Sequence, residues 1–255
     1  MPRFDRLATG PADPDYSLPG PARRLRSGIR ERGLLSTVSR SASWAALFAA
    51  GPRVGSRLRG SGTFRFQGLQ YSYLDRWHGW TWLNERSVEV PLGAAAIERG
   101  GGEVLEVGNV LGHYLPVSHR VVDKYEESPG VENADLFEID EPDSFDLVVS
   151  LSTLEHVGWD EPVRDPERAI AAVEHLKALV APGGMLFVTV PVGYHPRLDR
   201  AAVTGELGFS SVSALSRGSL VGPWVEADPR AVIDSAYDEL LYCASAVLVC
   251  EWRRS

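Results

Sequence analysis

Two acidic residues flank a glycine turn, and their spacing suits the binding of a ribonucleoside. The turn lies in Val104-Leu105-Glu106-Val107-Gly108-Asn109-Val110-Leu111-Gly112, and Val121-Val122-Asp123 follows it. A strand ending near Glu106 would lead into Gly108, where the backbone can approach a ligand closely because glycine has no side chain. A second strand ending at Asp123 would bring a carboxylate to the same edge of the sheet, where ligands of open α/β sheets bind. Asp123 is thus predicted to accept hydrogen bonds from a ribose diol.

The same turn does not match the pattern of a dinucleotide site. Nicotinamide and flavin sites favour G-x-G-x-x-G, whereas residue 110 is valine and no such triplet occurs. An acidic first residue also disfavours a pyrophosphate, which needs bare amides at a helix N-terminus. A carboxylate at Glu106 instead suits a cationic ligand group, such as the amino group of a methionine moiety.

The elements that would position these residues alternate between strand and helix from residue 103 onward. Short β-rich runs occupy residues 103–107, 120–123, 145–151, 185–190 and 245–252. Asp165-Pro166 is a helix-start signal, and apolar residues recur at helical spacing from there to Leu179. Strands separated by helices predict right-handed βαβ units and a mainly parallel sheet.

Further motifs follow in a defined order. They are Asn133-Ala134-Asp135-Leu136, then residues 144–150, then Leu154-Glu155-His156-Val157, and then residues 179–186. In these motifs and in the glycine turn, the chain from about Val90 to Trp252 resembles the class I S-adenosylmethionine-dependent methyltransferases. The resemblance implies a Rossmann-like α/β fold, with a mainly parallel seven-stranded sheet, helices on both faces and an N-terminal helical and aromatic cap.

The resemblance also implies that S-adenosylmethionine is the cofactor. The residues that it assigns to the cofactor site are Glu106, Gly108, Asn109, Gly112, Asp123, Lys124, Asp135, Leu136, Ser150 and Leu151. Asp123 would hold the ribose and Asp135 would face the adenine amine. Two positions depart from the family pattern: Val110 replaces a glycine, and the short stretch from Gly112 to Asp123 contains Pro116, so only about one helical turn fits there.

Methyl transfer is an in-line displacement from a sulfonium, so the enzyme must align the acceptor and can remove its proton. His156 follows the fourth strand, and Tyr194 and His195 follow the fifth. These three are the predicted catalytic residues, and each of them could equally be a structural residue. Glu85 and His78 are further candidates.

No metal site is predicted. The six histidines show no paired ligand spacing such as H-x-x-x-H. Asp160 and Glu161 are the only carboxylate pair near the fourth strand, and they are typical of a solvated helix start.

Charge is distributed unevenly along the chain. Residues 1–65 carry twelve arginines and four acidic residues, a local charge of +8, which leaves −16 for the remainder. We divide the chain into a basic, partly irregular N-terminal arm (1–62) with a linker at 51–62, an aromatic cap or lid (63–91) and a cofactor-binding domain (92–255). A basic arm can bind nucleic acid, but the acidic main domain would repel phosphates, so this partner is disfavoured.

Composition limits the class of protein. No apolar run approaches the ~20 residues of a membrane helix, and no secretory signal is expected. Two cysteines cannot form a disulfide framework. We therefore expect a cytoplasmic protein without a membrane partner, whose aromatic segment could also pack on a second copy in a homodimer.

The leading hypothesis is an enzyme that methylates oxygen or nitrogen of a small polar acceptor, such as a sugar or a secondary metabolite. A looser resemblance points to a bacterial subgroup linked with glycan or secondary-metabolite biosynthesis. One alternative is a methyltransferase-like protein that binds or scaffolds without catalysis. A nucleic-acid methyltransferase is a weaker alternative, because Ser150-Leu151-Ser152-Thr153 stands where N/D-P-P-Y/F would be expected.

Overall fold

A large β-sheet forms the centre of the computed structural model, which describes residues 29–30 and 33–255. The strands in chain order are β1 (Thr63–Phe66), β2 (Leu69–Ser72), β3 (Val104–Val107), β4 (Arg120–Asp123), β5 (Val131–Asn133), β6 (Phe145–Leu151), β7 (Val180–Pro191), β8 (Ser211–Ser216), β9 (Val225–Ala227) and β10 (Ala246–Arg253). Strands β1 and β2 form a separate antiparallel hairpin, and the other eight form the large sheet.

The order of the large sheet is β5-β4-β3-β6-β7-β10-β8-β9. The first five strands in this order, β5, β4, β3, β6 and β7, run parallel to one another. Strand β10 lies between β7 and β8 and runs antiparallel to both. The predicted Rossmann-like, mainly parallel sheet is confirmed. It has eight strands in the described residues rather than seven, because β9, a three-residue edge strand too short to leave a periodic signal, pairs with β8.

Helices cover both faces of the sheet. They are α1 (Leu34–Ala50), α2 (Pro52–Arg59), α3 (Arg86–Gly100), α4 (Glu167–Leu179), α5 (Pro196–Thr204) and α6 (Pro229–Val232). The apolar stripe of α4 packs on one face with α5, and α3 packs on the other face beside the hairpin. Short 3₁₀ turns follow β3, β5 and β6 at the edge where the strands end.

The segment predicted as a linker contains helix α2. Gly51 and Gly60, both with φ near +80°, flank the helix, and Pro52 occupies its first turn. Gly55 lets the helix approach the indole of Trp82, since a Cβ at Gly55 would lie 2.6 Å from Trp82 Cδ1. The glycines are therefore helix caps and a packing contact rather than signs of a flexible linker. Residues 1–28 and 31–32 of the predicted arm lie outside the described residues.

Helix α3 runs across the boundary that we predicted between residues 91 and 92. Pro91 has no N–H, so the carbonyl of Ser87 loses its helical donor. The backbone N–H of Leu74 donates to that carbonyl at 3.0 Å, so the helix continues through the proline. The aromatic segment and the sheet domain therefore share one helix and one core.

The aromatic segment packs against the sheet. Phe64, Phe66 and Tyr73 belong to the same core as α3, β6 and β7. The hydroxyl of Tyr73 accepts a hydrogen bond of 2.9 Å from the backbone N–H of Trp224. These contacts make the segment part of the fold, as the interpretation of residues 63–91 as a cap predicts.

Two further findings concern the membrane and the cysteines. Among the described residues, no helix combines the length and apolar character that crossing a bilayer requires. Cys250 lies on β10, and Cys243 precedes that strand. Both are buried and free.

Candidate functional site

The glycine turn after β3 is closed against the end of β6. Gly108 has φ +84°, a conformation that favours glycine, and its N–H donates to the carbonyl of Val122 at 2.8 Å. A Cβ at Gly108 would lie 2.1 Å from Thr153 Oγ1. A side chain at residue 108 would therefore separate the ends of β3 and β6.

Glu106 holds this turn from inside the protein. Its carboxylate is fully buried; Oε1 accepts hydrogen bonds from the N–H groups of Val110 (2.9 Å) and Leu111 (2.7 Å), and Oε2 lies 2.7 Å from His119 Nε2. Val110 is itself buried, and only one 3₁₀ turn follows, as the shortness of the segment predicts. The carboxylate thus binds its own backbone rather than facing the edge of the sheet.

Asp123 lies beside the turn at the end of β4. Its Oδ2 accepts from the N–H of Asn109 at 3.1 Å, and its Oδ1 accepts from the N–H groups of Tyr125 and Glu126 at 2.9 Å each. A carboxylate has about four acceptor positions. Three of them are used within the described residues, which leaves one on Oδ2 for a ligand hydroxyl.

Glu126, which the sequence did not single out, fixes the side chain of Asn109. Asn109 Nδ2 donates to Glu126 Oε1 at 2.8 Å, and His113 Nε2 lies 3.0 Å from Glu126 Oε2. Asn109 Oδ1 is buried and has no hydrogen-bond partner in the described residues. A Cβ at Gly112 would lie 2.2 Å from this oxygen, so Gly112 leaves the space that Asn109 occupies.

An ion-pair network joins the residues after β4 and β5. Lys124 Nζ lies 3.0 Å from Asp135 Oδ2 and 3.2 Å from Glu161 Oε1, and Arg168 Nη2 donates to Asp135 Oδ2 at 3.4 Å. Burial raises the pKa of Asp135, but the Phe137 amide and Lys124 outweigh it and leave this pKa below its ordinary value. Two predicted cofactor residues, Lys124 and Asp135, are therefore brought into direct contact.

The remaining predicted cofactor residues lie in the core. Ser150 is fully buried on β6, and its Oγ donates to the carbonyl of Val107 at 3.0 Å. Leu151 and Leu136 are buried too. These three side chains are buried next to the edge of the sheet where the strands end.

His156 and Tyr194 meet on Asp160. Asp160 Oδ2 lies 2.5 Å from His156 Nδ1 and accepts from the Tyr194 hydroxyl at 2.7 Å. Burial raises the pKa of Asp160, but the hydrogen bonds from His156 and Tyr194 outweigh it, so the pKa lies below its ordinary value. Asp160 is exposed, as the solvated interpretation predicts, but it starts no helix, and two loops that are remote in sequence fold onto its carboxylate.

The third predicted catalytic residue, His195, is a helix cap. Its side chain is fully buried, and Nδ1 accepts from the N–H of Leu198 at 3.1 Å at the start of α5. Its ring lies 4.5 Å from that of Trp159, and burial lowers its pKa. Within the described residues it makes no hydrogen bond to His156, Asp160 or Tyr194.

Three buried carboxylates lie on the other side of His156. We call Glu85, Glu89 and Glu155, together with Arg86, the acidic cluster. Ser152 Oγ donates to Glu89 Oε1, and Arg86 Nη1 donates to Glu89 Oε2 at 3.4 Å and to the Leu151 carbonyl at 3.1 Å.

The other two carboxylates of the cluster are held by loops. Glu85 Oε2 accepts from the N–H of Ala244 at 2.9 Å, and Glu155 Oε1 lies 3.6 Å from His156 Nε2. The described residues contain no group of three or more His, Cys, Asp or Glu arranged to hold a metal ion. Sequence reasoning named Glu85 as a minor candidate and quoted Glu155 only within a motif, because burial of these charges depends on contacts between distant segments.

Two strained backbone positions lie near the acidic cluster. Ser152, at the end of β6, has φ +39°, and Tyr242, which interacts with Glu155, has φ +51°. Non-glycine residues in this region cost about 1 kcal/mol or more each, and such strain is common at functional sites. The hydrogen bond from Ser152 to Glu89 is one of the contacts that hold this conformation.

Two surface cavities of about 380 Å³ each lie away from these residues. One is at the amino ends of β3 and β4, on the sheet edge opposite Asp123, and the other lies beside the end of α2.

Asp199 of α5 holds the loop that carries Tyr194, and it makes stability depend on pH. Its carboxylate is 1% exposed, accepts from the N–H of Gly193 at 2.8 Å and has an unpartnered Oδ1. Burial raises the pKa of Asp199 to about 7, against the opposing hydrogen bond from Gly193. Because this pKa lies above the unfolded value of about 3.9, the folded state is favoured by protonation, and the contribution is lost as pH rises toward 7.

We expect Asp199→Asn to remove this loss. Relative to the wild type, the variant should gain about 2 to 3 kcal/mol of unfolding free energy on going from pH 5 to pH 8, because a pKa difference of one unit corresponds to about 1.4 kcal/mol. Urea unfolding at the two pH values measures the gain. Asp228→Asn, at an exposed helix cap, should show no such gain, and an equal change in both variants would contradict the assignment.

Comparison with known proteins gives structural similarity alone. No protein-family model and no curated protein matches the sequence. The fold is similar to a solved Thermotoga maritima structure described as an S-adenosylmethionine-dependent methyltransferase and possible histamine N-methyltransferase (15% identity, 66% of this chain and 88% of that chain, TM-score 0.40). It is similar to the N-methyltransferase NodS of Bradyrhizobium japonicum with S-adenosyl-L-homocysteine (14% identity, 67% and 88%, TM-score 0.42).

A third similar structure is the 1,6-didemethyltoxoflavin-N1-methyltransferase of Burkholderia thailandensis, with its acceptor and S-adenosylhomocysteine bound (14% identity, 76% of this chain and 100% of that chain, TM-score 0.38). With TM-scores below 0.5, these likenesses say nothing about what this chain binds.

Proposed function

We propose that this chain is an S-adenosylmethionine-dependent methyltransferase that acts on oxygen or nitrogen of a small polar acceptor, such as a sugar or a secondary metabolite. The observation that carries the proposal is the pairing of Asp123 with the glycine turn. The carboxylate is fixed by the N–H of Asn109 and keeps one acceptor position at the end of β4. A ribose hydroxyl is the donor that this arrangement suits.

The residues around the turn fit the rest of the cofactor. Asn109 Oδ1 is a buried acceptor without a partner, which suits the amino group of the methionine end. Lys124 and Asp135 lie where the adenine end would contact the loops after β4 and β5. When bound, the cofactor supplies a methyl group on a positively charged sulfur, and the ionised carboxylate of Asp160, whose pKa is lowered, would favour that charge.

His156 is the proton acceptor in this proposal. Asp160 holds the ring through Nδ1, so Nε2 is the nitrogen that would accept the proton. Burial and the neighbouring Tyr242 and Asp160 raise the pKa of Tyr194, so its hydroxyl stays protonated and donates to Asp160. Tyr194 is therefore a positioning residue, and we propose no catalytic role for the helix cap His195.

Calorimetric titration of the full chain with S-adenosylmethionine and with S-adenosylhomocysteine tests the cofactor. We expect both to bind with micromolar Kd and NAD to give no saturable heat, because the turn lacks a pyrophosphate site. Binding of neither sulfur ligand would contradict the proposal and favour a non-catalytic scaffold.

A further inference from the structure

The acidic cluster places three carboxyl groups around one hydrogen-bonded guanidinium. Glu85, Glu89 and Glu155 are at most 7% exposed, and Arg86 is the cation hydrogen-bonded among them. Burial and the neighbouring Glu89 raise the pKa of Glu85, and burial raises that of Glu155 well above its ordinary value. These raised pKa values mean that both carboxyl groups resist ionisation in the fold, and a cationic group bound beside them would stabilise their ionised forms.

Glu155 offers a position for such a group. Its side chain is 1% exposed, and its Oε2 has no hydrogen-bond partner within the described part of the chain. A buried oxygen without a hydrogen-bond partner is unfavourable, and an N–H donor from a ligand would satisfy it. His156 Nε2, the proposed base, lies 3.6 Å from the other oxygen of the same carboxylate.

Three tyrosine rings pack together, and one of them, Tyr242, lies near Glu155. Tyr194, Tyr237 and Tyr242 pack nearly perpendicular to one another, with ring centroids 4.9 to 6.2 Å apart. Tyr242 interacts electrostatically with Glu155, and its hydroxyl lies 3.4 Å from that of Tyr194. Tyrosine faces attract cations and also supply apolar contact area.

We propose that the acceptor is a small alkyl or aralkyl amine, which binds as the ammonium ion between Glu155 and the tyrosine rings; this inference rests on the proposed function and narrows its substrate class. An ammonium ion supplies an N–H donor for Glu155 Oε2 and a positive charge that favours the ionised form of this carboxyl group. A carboxylate or phosphate would be repelled by the cluster, and a hydroxyl would bring no charge.

The step balances with the residues at hand. The ammonium ion gives one proton to His156 Nε2 and becomes a neutral amine with a lone pair. That lone pair forms the new N–CH₃ bond while the S–CH₃ bond breaks, and the electron pair of the broken bond stays on sulfur as S-adenosylhomocysteine. The product leaves as a methylammonium ion, and His156 releases the proton to solvent.

Three matched ligands test the substrate class: phenethylamine, 2-phenylethanol and phenylacetate. Each is titrated calorimetrically into the full chain, with and without saturating S-adenosylhomocysteine. We expect phenethylamine to bind at least tenfold more tightly than the alcohol and phenylacetate to give no binding. Glu155→Gln should weaken phenethylamine binding at least tenfold, whereas Glu174→Gln, at an exposed position on α4, should leave it unchanged.

Equal binding of the amine and the alcohol, no saturable binding of the amine, or an unchanged amine affinity in Glu155→Gln would each overturn the inference. If Glu155→Gln does not fold, the three-ligand comparison on the wild type decides alone. If S-adenosylhomocysteine binds but the amine is not preferred, only this inference fails. If S-adenosylhomocysteine does not bind, the proposed function fails, and the titration of the amine alone still tests whether the site binds an ammonium ion.

Discussion

Alanine at His156 is expected to slow methyl transfer by about 10²- to 10⁴-fold, the range that loss of a positioned general base produces. The Kd of S-adenosylmethionine should change by less than about twofold, because the imidazole removes an acceptor proton and does not hold the cofactor. The measurement is the initial rate of S-adenosylhomocysteine formation, with the acceptor on which the wild type is fastest, together with calorimetry of the cofactor.

The network around His156 supplies graded controls. Asp160→Asn keeps a polar side chain but removes the charge that holds the imidazole through Nδ1, so it should slow turnover less than His156→Ala. Tyr194→Phe removes one hydrogen bond to Asp160 and should have a smaller effect still. His175→Ala, which removes an imidazole on α4 next to Phe137, should leave the rate unchanged. Unchanged turnover in both His156→Ala and Tyr194→Phe would exclude the base assignment.

The positions of the glycine turn and of Asp123 were predictable, because these residues follow one another along two neighbouring strands. The bounds of β4 and β6 agree with the sequence prediction. Continuous apolar runs mark buried parallel strands, and such strands end at one edge by topology. The sequence did not predict the hydrogen-bond partners of the two carboxylates. Glu106 points inward and binds its own turn, and backbone amides occupy three of the acceptor positions of Asp123.

The acceptor side was mostly missed, for a different reason. Glu85 and Glu155 are 70 residues apart in the chain, and their burial follows only from packing α3 against the end of β6. Charged residues are ordinarily exposed, so nothing in their local sequence predicts a buried cluster. Helix α3 was missed too, because a proline inside a segment argues against a helix. The N–H of Leu74, which replaces the missing Pro91 donor at the Ser87 carbonyl, comes from another segment of the chain.

These two halves of the site depend on each other through β6. Gly108 contacts Thr153 at one side of the strand end, while Ser152 binds Glu89 at the other. The strained residue Ser152 thus lies between the glycine turn and the acidic cluster. In the proposed reaction, this short segment sets the distance between the methyl group and the acceptor nitrogen.

The second large effect is expected for Asp123→Ala, which should weaken S-adenosylmethionine binding by about 10- to 100-fold. Hydrogen bonds to a charged group contribute about 1.5–3 kcal/mol, and every 1.4 kcal/mol is a factor of about ten in Kd. The substitution also frees the N–H groups of Asn109, Tyr125 and Glu126, which the carboxylate now orders. Calorimetry of the folded variant, with circular dichroism to verify the fold, measures the loss.

Two variants separate the charge of Asp123 from its role in the turn. Asp123→Asn keeps an oxygen that can accept from the amides but removes the charge, so its affinity should lie between those of the wild type and Asp123→Ala. Asp146→Ala removes a carboxylate at the opposite edge of the same sheet, where it accepts from the N–H of Glu103 at 2.9 Å, and should bind as the wild type does. If Asp123→Ala also bound with wild-type affinity, the ribose would not lie at the end of β4. The glycine turn would then serve to join β3 and β6, and the acidic cluster would have to be explained without a cofactor beside it.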